Sequence, residues 1–132
     1  MEKIKLTDGC YKLEIKNCLL DTSEVNCASL KKLVLEDVSL IGARISHGNL
    51  SDLEIDGVQM GGAYIHNVGV PPKGHPAHDP DSKHQPLRFE VCDFEGSSFT
   101  NCNLANVELN GCNIKGMKIN GVLVEEMMKE RT

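Results

Sequence analysis

The chain has 132 residues, about one domain at ~150 residues per domain. Lys+Arg is 14 against Asp+Glu 19, a formal net charge of −5, which excludes a chain-wide basic surface for nucleic acid. No apolar run reaches the ~18 residues needed to cross a membrane. With no Trp, two Tyr and three Phe, Leu, Ile, Val, Ala and Cys must fill the interior, which suits a narrow, regular core rather than one built on large aromatics.

The start, Met1-Glu2-Lys3-Ile4-Lys5-Leu6-Thr7-Asp8, lacks the apolar block of a signal peptide. Six cysteines could form a secreted disulfide framework, but Cys92, Cys102 and Cys112 recur every ten residues, Cys18 joins them in a repeat position, and no CxxC pair is present. The expectation is therefore a cytoplasmic chain whose thiols act as small buried hydrophobes.

From Ile15 onward every fifth residue is large and aliphatic: Ile15, Leu20, Val25, Leu30, Leu35, Leu40, Ile45, Leu50, Ile55, Met60, Ile65 and Val70. Two residues before each stands an uncharged one, from Leu13 and Cys18 to Ala63 and Val68. A period of five fits neither the 3.6 of a helix nor the 2 of a strand. The register breaks at residues 71–86, which hold all five prolines and read as an inserted loop. It resumes as Phe89, Phe94, Phe99, Leu104, Leu109, Ile114, Ile119 and Val124. Seven glycines, among them Gly42, Gly57, Gly96 and Gly111, lie two residues after a ladder position, as a sharp corner would require.

Cys102-Asn103-Leu104-Ala105-Asn106, with Cys92-Asp93-Phe94-Glu95-Gly96 and Cys112-Asn113-Ile114-Lys115-Gly116 close to it, resembles the pentapeptide-repeat family. That motif is a small residue, Asp or Asn, Leu or Phe, and two variable residues. The resemblance covers residues 13–124 apart from the loop and is strongest after residue 87; earlier, Glu14, Leu19, Glu24, Ser29, Val34 and Arg44 stand where Asp or Asn belongs. It implies an all-β fold: a right-handed quadrilateral parallel β-helix with four pentapeptides per coil and about five coils. A period of twenty is present as well, since Leu13, Leu33 and Leu53 fill the usually small position, and removing 14 inserted residues brings Leu87 into the same column. The expected organisation is one domain, 1–132: an N-terminal cap at 1–12, a first array at 13–70, the loop at 71–86, a second array at 87–124, and a short C-terminal helix as cap at 125–132. Val124-Glu125-Glu126-Met127-Met128-Lys129-Glu130-Arg131 is acidic first and basic last, in line with the helix dipole. The three phenylalanines occupy successive faces of one coil and are expected to meet in its interior.

Candidate sites are few. His75, His78, Asp79, Asp81 and His84 fall within ten residues. A proline-rich insertion offers little second support for ligands, so the reading favours a mobile loop with solvated histidines. A metal held by His75, His78 and His84 is the one foothold for an enzyme; no catalytic residue and no cofactor is expected. On one face of the coils stand Glu14, Glu36, Asp37, Glu54, Asp56, Glu90 and Glu108, opposed by Lys16 and Arg88. Another face carries Glu24 with Arg44, Lys118, His47 and His66. The acidic face reads first as a solvated surface, and second as a docking surface for a basic partner.

The expected function is a non-enzymatic solenoid that serves as a protein-interaction scaffold. The alternative, implied by the resemblance, is a DNA-mimicking inhibitor of a DNA-binding enzyme such as DNA gyrase, since some members of the family resemble B-form DNA in size and charge. Five coils at −5 are a poor substitute for a duplex with one charge per ~1.7 Å. Partners are expected to be protein, with a homodimer through a stack end left open, and neither nucleic acid nor membrane is expected to bind directly.

Overall fold

The computed structural model describes residues 2–129. Met1 and residues 130–132 lie outside the described residues, and with them the Glu130–Arg131 end of the expected helix. By its internal contacts the chain divides into two units, Met1–Met60 and Gly61–Thr132.

The five-residue period is written into the backbone of both. Two residues after every ladder position from Ile15 to Ile65 and from Phe89 to Ile119 the chain turns through positive φ: Asn17, Thr22, Cys27, Lys32, Asp37, Gly42, His47, Asp52 and Gly57 in the first unit. Gly62, Asn67, Val91, Gly96, Asn101, Asn106, Gly111, Gly116 and Gly121 continue the series in the second. All lie between 52° and 81°. Each pentapeptide thus spends one residue in the left-handed region, which only Gly, Asn and Asp visit at low cost.

Alternate corners differ in kind. After Leu20, Leu30, Leu40 and Leu50 the carbonyl accepts the N–H three residues on at 2.9–3.2 Å, and so do the carbonyls of Phe94, Leu104 and Ile114. A bond from residue i to i+3 with positive φ at i+2 is a type II turn. The intervening corners, after Ile15, Val25, Leu35, Ile45, Ile55, Phe89, Phe99 and Leu109, turn through positive φ without such a bond.

The side chains sort by the same period. Between residues 13 and 124, the exposed large apolar residues of the ladder and of the line two residues before it are 45–69% accessible. Those off both lines (Leu19, Val34, Ile41, Tyr64 and Val91) run from 70% to 108%. The expected convergence of the phenylalanines is present: Phe89 meets Phe94 at 5.4 Å between ring centroids and Phe94 meets Phe99 at 6.4 Å, both edge-to-face, the geometry that ring quadrupoles prefer.

Closure of the coils departs from expectation. None of the described residues is buried; Leu35, Leu40 and Ile45, expected inside a filled interior, are 54%, 55% and 69% accessible. Corner turns need only local hydrogen bonds, whereas burying the ladder needs one coil seated on the next. Among the described residues no backbone hydrogen bond joins positions twenty apart. The cysteine column departs in the same way. Cys10, Cys18, Cys27, Cys92, Cys102 and Cys112 are all exposed free thiols. Cys18, Cys92, Cys102 and Cys112 instead donate to the carbonyls two residues before them, those of Lys16, Glu90, Thr100 and Asn110, at 3.1–3.5 Å.

In the first unit the Tyr11 hydroxyl donates to the Thr7 carbonyl at 2.9 Å. Ile4 lines a hollow together with Glu14, Ile15, Lys16, Cys18 and Leu20, so the opening segment lies against residues 14–20. In the second unit, residues 71–86 form a series of short turns. Pro72 O accepts from His75 N, His75 O from His78 N and Asp79 O from Ser82 N.

The second unit ends differently from the expected repeat. β1 (Lys118–Ile119) and β2 (Val122–Leu123) pair antiparallel, Lys118 with Leu123 and Ile119 with Val122. Asn120 and Gly121 both take positive φ, 50° and 81°, the type I′ hairpin that Asn-Gly favours. The ladder from Ile119 to Val124 therefore folds back on itself. Val124 N donates to Met117 O at 2.9 Å and opens α1 (Val124–Lys129), with Glu125 and Glu126 in its first turn and Lys129 in its last. Glu125 Oε1 accepts the Gly116 N–H at 2.8 Å, tying the helix to the last type II corner. Among the described residues no helix is long and apolar enough to cross a membrane.

Candidate interaction surface

At several ladder positions the residues just before and just after stand side by side, as residues two apart on extended backbone share a side. The clearest cases are Glu14 with Lys16 across Ile15, Nζ to Oε1 2.6 Å, and Arg88 with Glu90 across Phe89, Nε to Oε1 3.2 Å. Tyr64 and His66 flank Ile65 in the same way, their rings stacked at 4.0 Å and 15°. This pairing rule decides what each expected acid can do.

Glu14 and Glu90 are neutralised by their neighbours. Glu108 accepts a long hydrogen bond from Asn110 Nδ2 at 3.4 Å. Asp37 occupies the corner itself, at φ 52°, rather than a place on the face. Glu36, Glu54 and Asp56 line one hollow in the first unit with Leu33, Val34 and Leu35. Glu54 and Asp56 flank Ile55, so this pair is acid beside acid with no cation between. Of the seven expected residues the structure gathers these three around a single hollow; Glu90 and Glu108 belong to the second unit.

The histidines follow separate paths. His75 Nδ1 accepts the Ala77 N–H at 3.0 Å, while His78 Nδ1 lies 2.9 Å from the Pro71 carbonyl. A carbonyl oxygen only accepts, so His78 donates from Nδ1 and the two rings carry opposite hydrogen-bond roles. His75, His78 and His84 are not drawn together, and among the described residues no three His, Cys, Asp or Glu side chains gather as a metal-ligand group. The loop expected to be mobile is a run of turns with two of its imidazoles bonded to its own backbone. On the more basic face His66 Nδ1 accepts from Asn67 Nδ2 at 3.1 Å, and His47 sits at a corner, φ 56°.

The sequence sets Lys16 and Arg88 against the acids without pairing them, and the Tyr64–His66 stack is not anticipated; all three pairs lie two residues apart across a ladder position.

Residues 89–123 match the family model of pentapeptide repeats, in eight copies. Neither a curated protein nor a solved structure matches the chain. The matched stretch is where Asp93, Asn103 and Asn113 turn their side-chain oxygens onto the N–H groups of Glu95, Ala105 and Lys115, at 2.9–3.0 Å. That local bond is the physical reason for Asp or Asn before the ladder residue. Runs of this repeat imply a right-handed β-helix in general and are structural rather than catalytic.

Proposed function

We propose that this chain, a member of the pentapeptide-repeat family through residues 89–123, is a non-enzymatic scaffold that docks a basic protein partner at Glu36, Glu54 and Asp56. The carrying observation is that these three carboxylates line one hollow without an ion-pair partner among the described residues, while Glu14 and Glu90 are spent on Lys16 and Arg88. Unpaired carboxylates beside apolar side chains suit a lysine or arginine whose aliphatic stem lies along Leu33, Val34 or Leu35 while its charged head meets the acids. In this reading the ladder closes into about five square, right-handed coils. The convergence of Phe89, Phe94 and Phe99 and the lower exposure of ladder side chains support that closure.

The test compares the full chain with a Glu36→Gln/Glu54→Gln/Asp56→Asn variant, each immobilised and exposed to lysate of the native host. Proteins retained by the parent, released by added salt and lost from the variant at an unchanged melting temperature are the expected result. Equal retention by both chains overturns the reading. Purified DNA gyrase is the defined probe for the DNA-mimic alternative, and inhibition of supercoiling at micromolar chain would transfer the acidic surface to that role.

A further inference from the structure

We propose that Asn110 is a site of spontaneous deamidation, which places a new carboxylate beside Glu108 in the second array. The chain holds two Asn-Gly steps, Asn110–Gly111 and Asn120–Gly121. In such a step the glycine backbone nitrogen attacks the asparagine Cγ: a C–N bond forms, the Cγ–Nδ2 bond breaks, and Nδ2 leaves as ammonia, taking up the proton from the glycine nitrogen. Water then opens the cyclic imide at one of its two carbonyl carbons, giving aspartate or isoaspartate. Glycine favours the reaction because no side chain shields its nitrogen.

Both steps are exposed, so access does not separate them; backbone freedom does. The attack requires the glycine nitrogen to swing toward Cγ, which means rotating the Asn-Gly backbone out of its resting conformation. Asn120 and Gly121 are the two central residues of the hairpin, held by the paired residues Ile119 with Val122 and Lys118 with Leu123. Rotation there must open the ladder first, and reaction through local opening is slowed by the cost of opening. Asn110–Gly111 sits at one of the open corners. Gly111 turns at φ 64° with no backbone hydrogen bond across the corner and nothing within 4 Å of where a Cβ would stand. The one bond that spans it is the weak, long thiol contact from Cys112 Sγ to the Asn110 carbonyl at 3.5 Å, against the paired backbone that holds Asn120. The Asn110 side chain is restrained by one long bond, Nδ2 to Glu108 Oε2 at 3.4 Å.

The product alters the surface and the register together. Aspartate at 110 sets two carboxylates across Leu109, the arrangement already present at Glu54 and Asp56. Isoaspartate adds a backbone atom to a step that the rest of the array keeps at five residues. This inference stands independently of the docking reading.

The full chain is held in warm, mildly alkaline buffer, sampled over time, and peptide-mapped for the one-mass-unit gain and for isoaspartate. Asn110 is expected to convert several-fold faster than Asn120. An Asn110→Gln variant is expected to lose the fast phase and keep the slow one, and in concentrated urea the two rates of the parent are expected to come together. Asn120 converting as fast as Asn110, a fast phase surviving in Asn110→Gln, or a rate difference that persists in urea would each overturn the proposal.

Discussion

In the first array the type II corners at Leu20, Leu30, Leu40 and Leu50 are preceded by Leu19, Ser29, Ser39 and Asn49, and among these Asn49 bonds the corner, to Ser51 N at 3.0 Å. In the second array the corresponding corners at Phe94, Leu104 and Ile114 are preceded by Asp93, Asn103 and Asn113, and all three bond the corner. The open corners between them, at Val91, Asn101 and Gly111, are each spanned by a thiol bond from Cys92, Cys102 or Cys112, where the first array has Cys18 alone, across Asn17. Yet positive φ recurs with the same period in both arrays. The ladder and its spacing set where the backbone turns; the side chain before the ladder residue sets how firmly the turn is held. The family match falls on the second array because a repeat motif describes the second property more than the first.

The largest test of this contrast is Phe94→Ala against Leu20→Ala. Phe94 touches a ring on either side, whereas Leu20 has no such partners. Truncating a fully buried Phe typically costs ~3–5 kcal/mol, and for a ring left 47% accessible about half of that, ~2 kcal/mol, is expected. Chemical denaturation should rank Phe94→Ala below Leu20→Ala; the reverse order would break the comparison.

A smaller effect tests whether corner strain is evenly shared. Val91 is a β-branched residue at φ 52° and fully exposed, a left-handed placement that costs roughly 1–2 kcal/mol for a residue with a Cβ. Asparagine tolerates that region better, so Val91→Asn should raise stability by ~1 kcal/mol, read as a higher melting temperature. No gain would mean that this corner relaxes in solution.

The smallest effect exchanges the corner chemistry itself. Asn103→Ala removes the bond to Ala105 N and should cost ~1 kcal/mol. Leu19→Asn installs the missing bond before Leu20, at a side chain that is 92% accessible, and should add ~0.5 kcal/mol. Both shifts are measured in denaturant titrations. Equal responses at the two sites to loss and gain would show that the arrays differ in composition alone.

Much of this was legible without coordinates because it is local. A ladder residue every five positions, glycine two places later, Asp or Asn one place earlier and a proline cluster are each settled within a few residues, where allowed φ/ψ values and short hydrogen bonds dominate. The Phe89–Phe94–Phe99 convergence followed from the same arithmetic. The C-terminal hairpin did not: Ile119 and Gly121 satisfy the ladder and corner rules, but Asn120 before Gly121 also satisfies those of a type I′ turn, and the antiparallel pairing won. The alternation of bonded and open corners carries no fixed residue signature, since Thr22 and Lys32 occupy bonded corners while Gly57 and Gly111 occupy open ones.

By itself, then, the sequence determined the period, the corners, the turns within residues 71–86 and the presence of a short helix after the last repeat, because each depends on contacts within a few residues. Tertiary structure decided which acids gather and how far the ladder is covered. Glu14 meets Lys16 within two residues, but Glu36 joins Glu54 and Asp56 around one hollow only because segments about twenty residues apart come together. How much of Leu35 or Ile45 leaves water depends on surface brought from twenty residues away, which no local rule supplies.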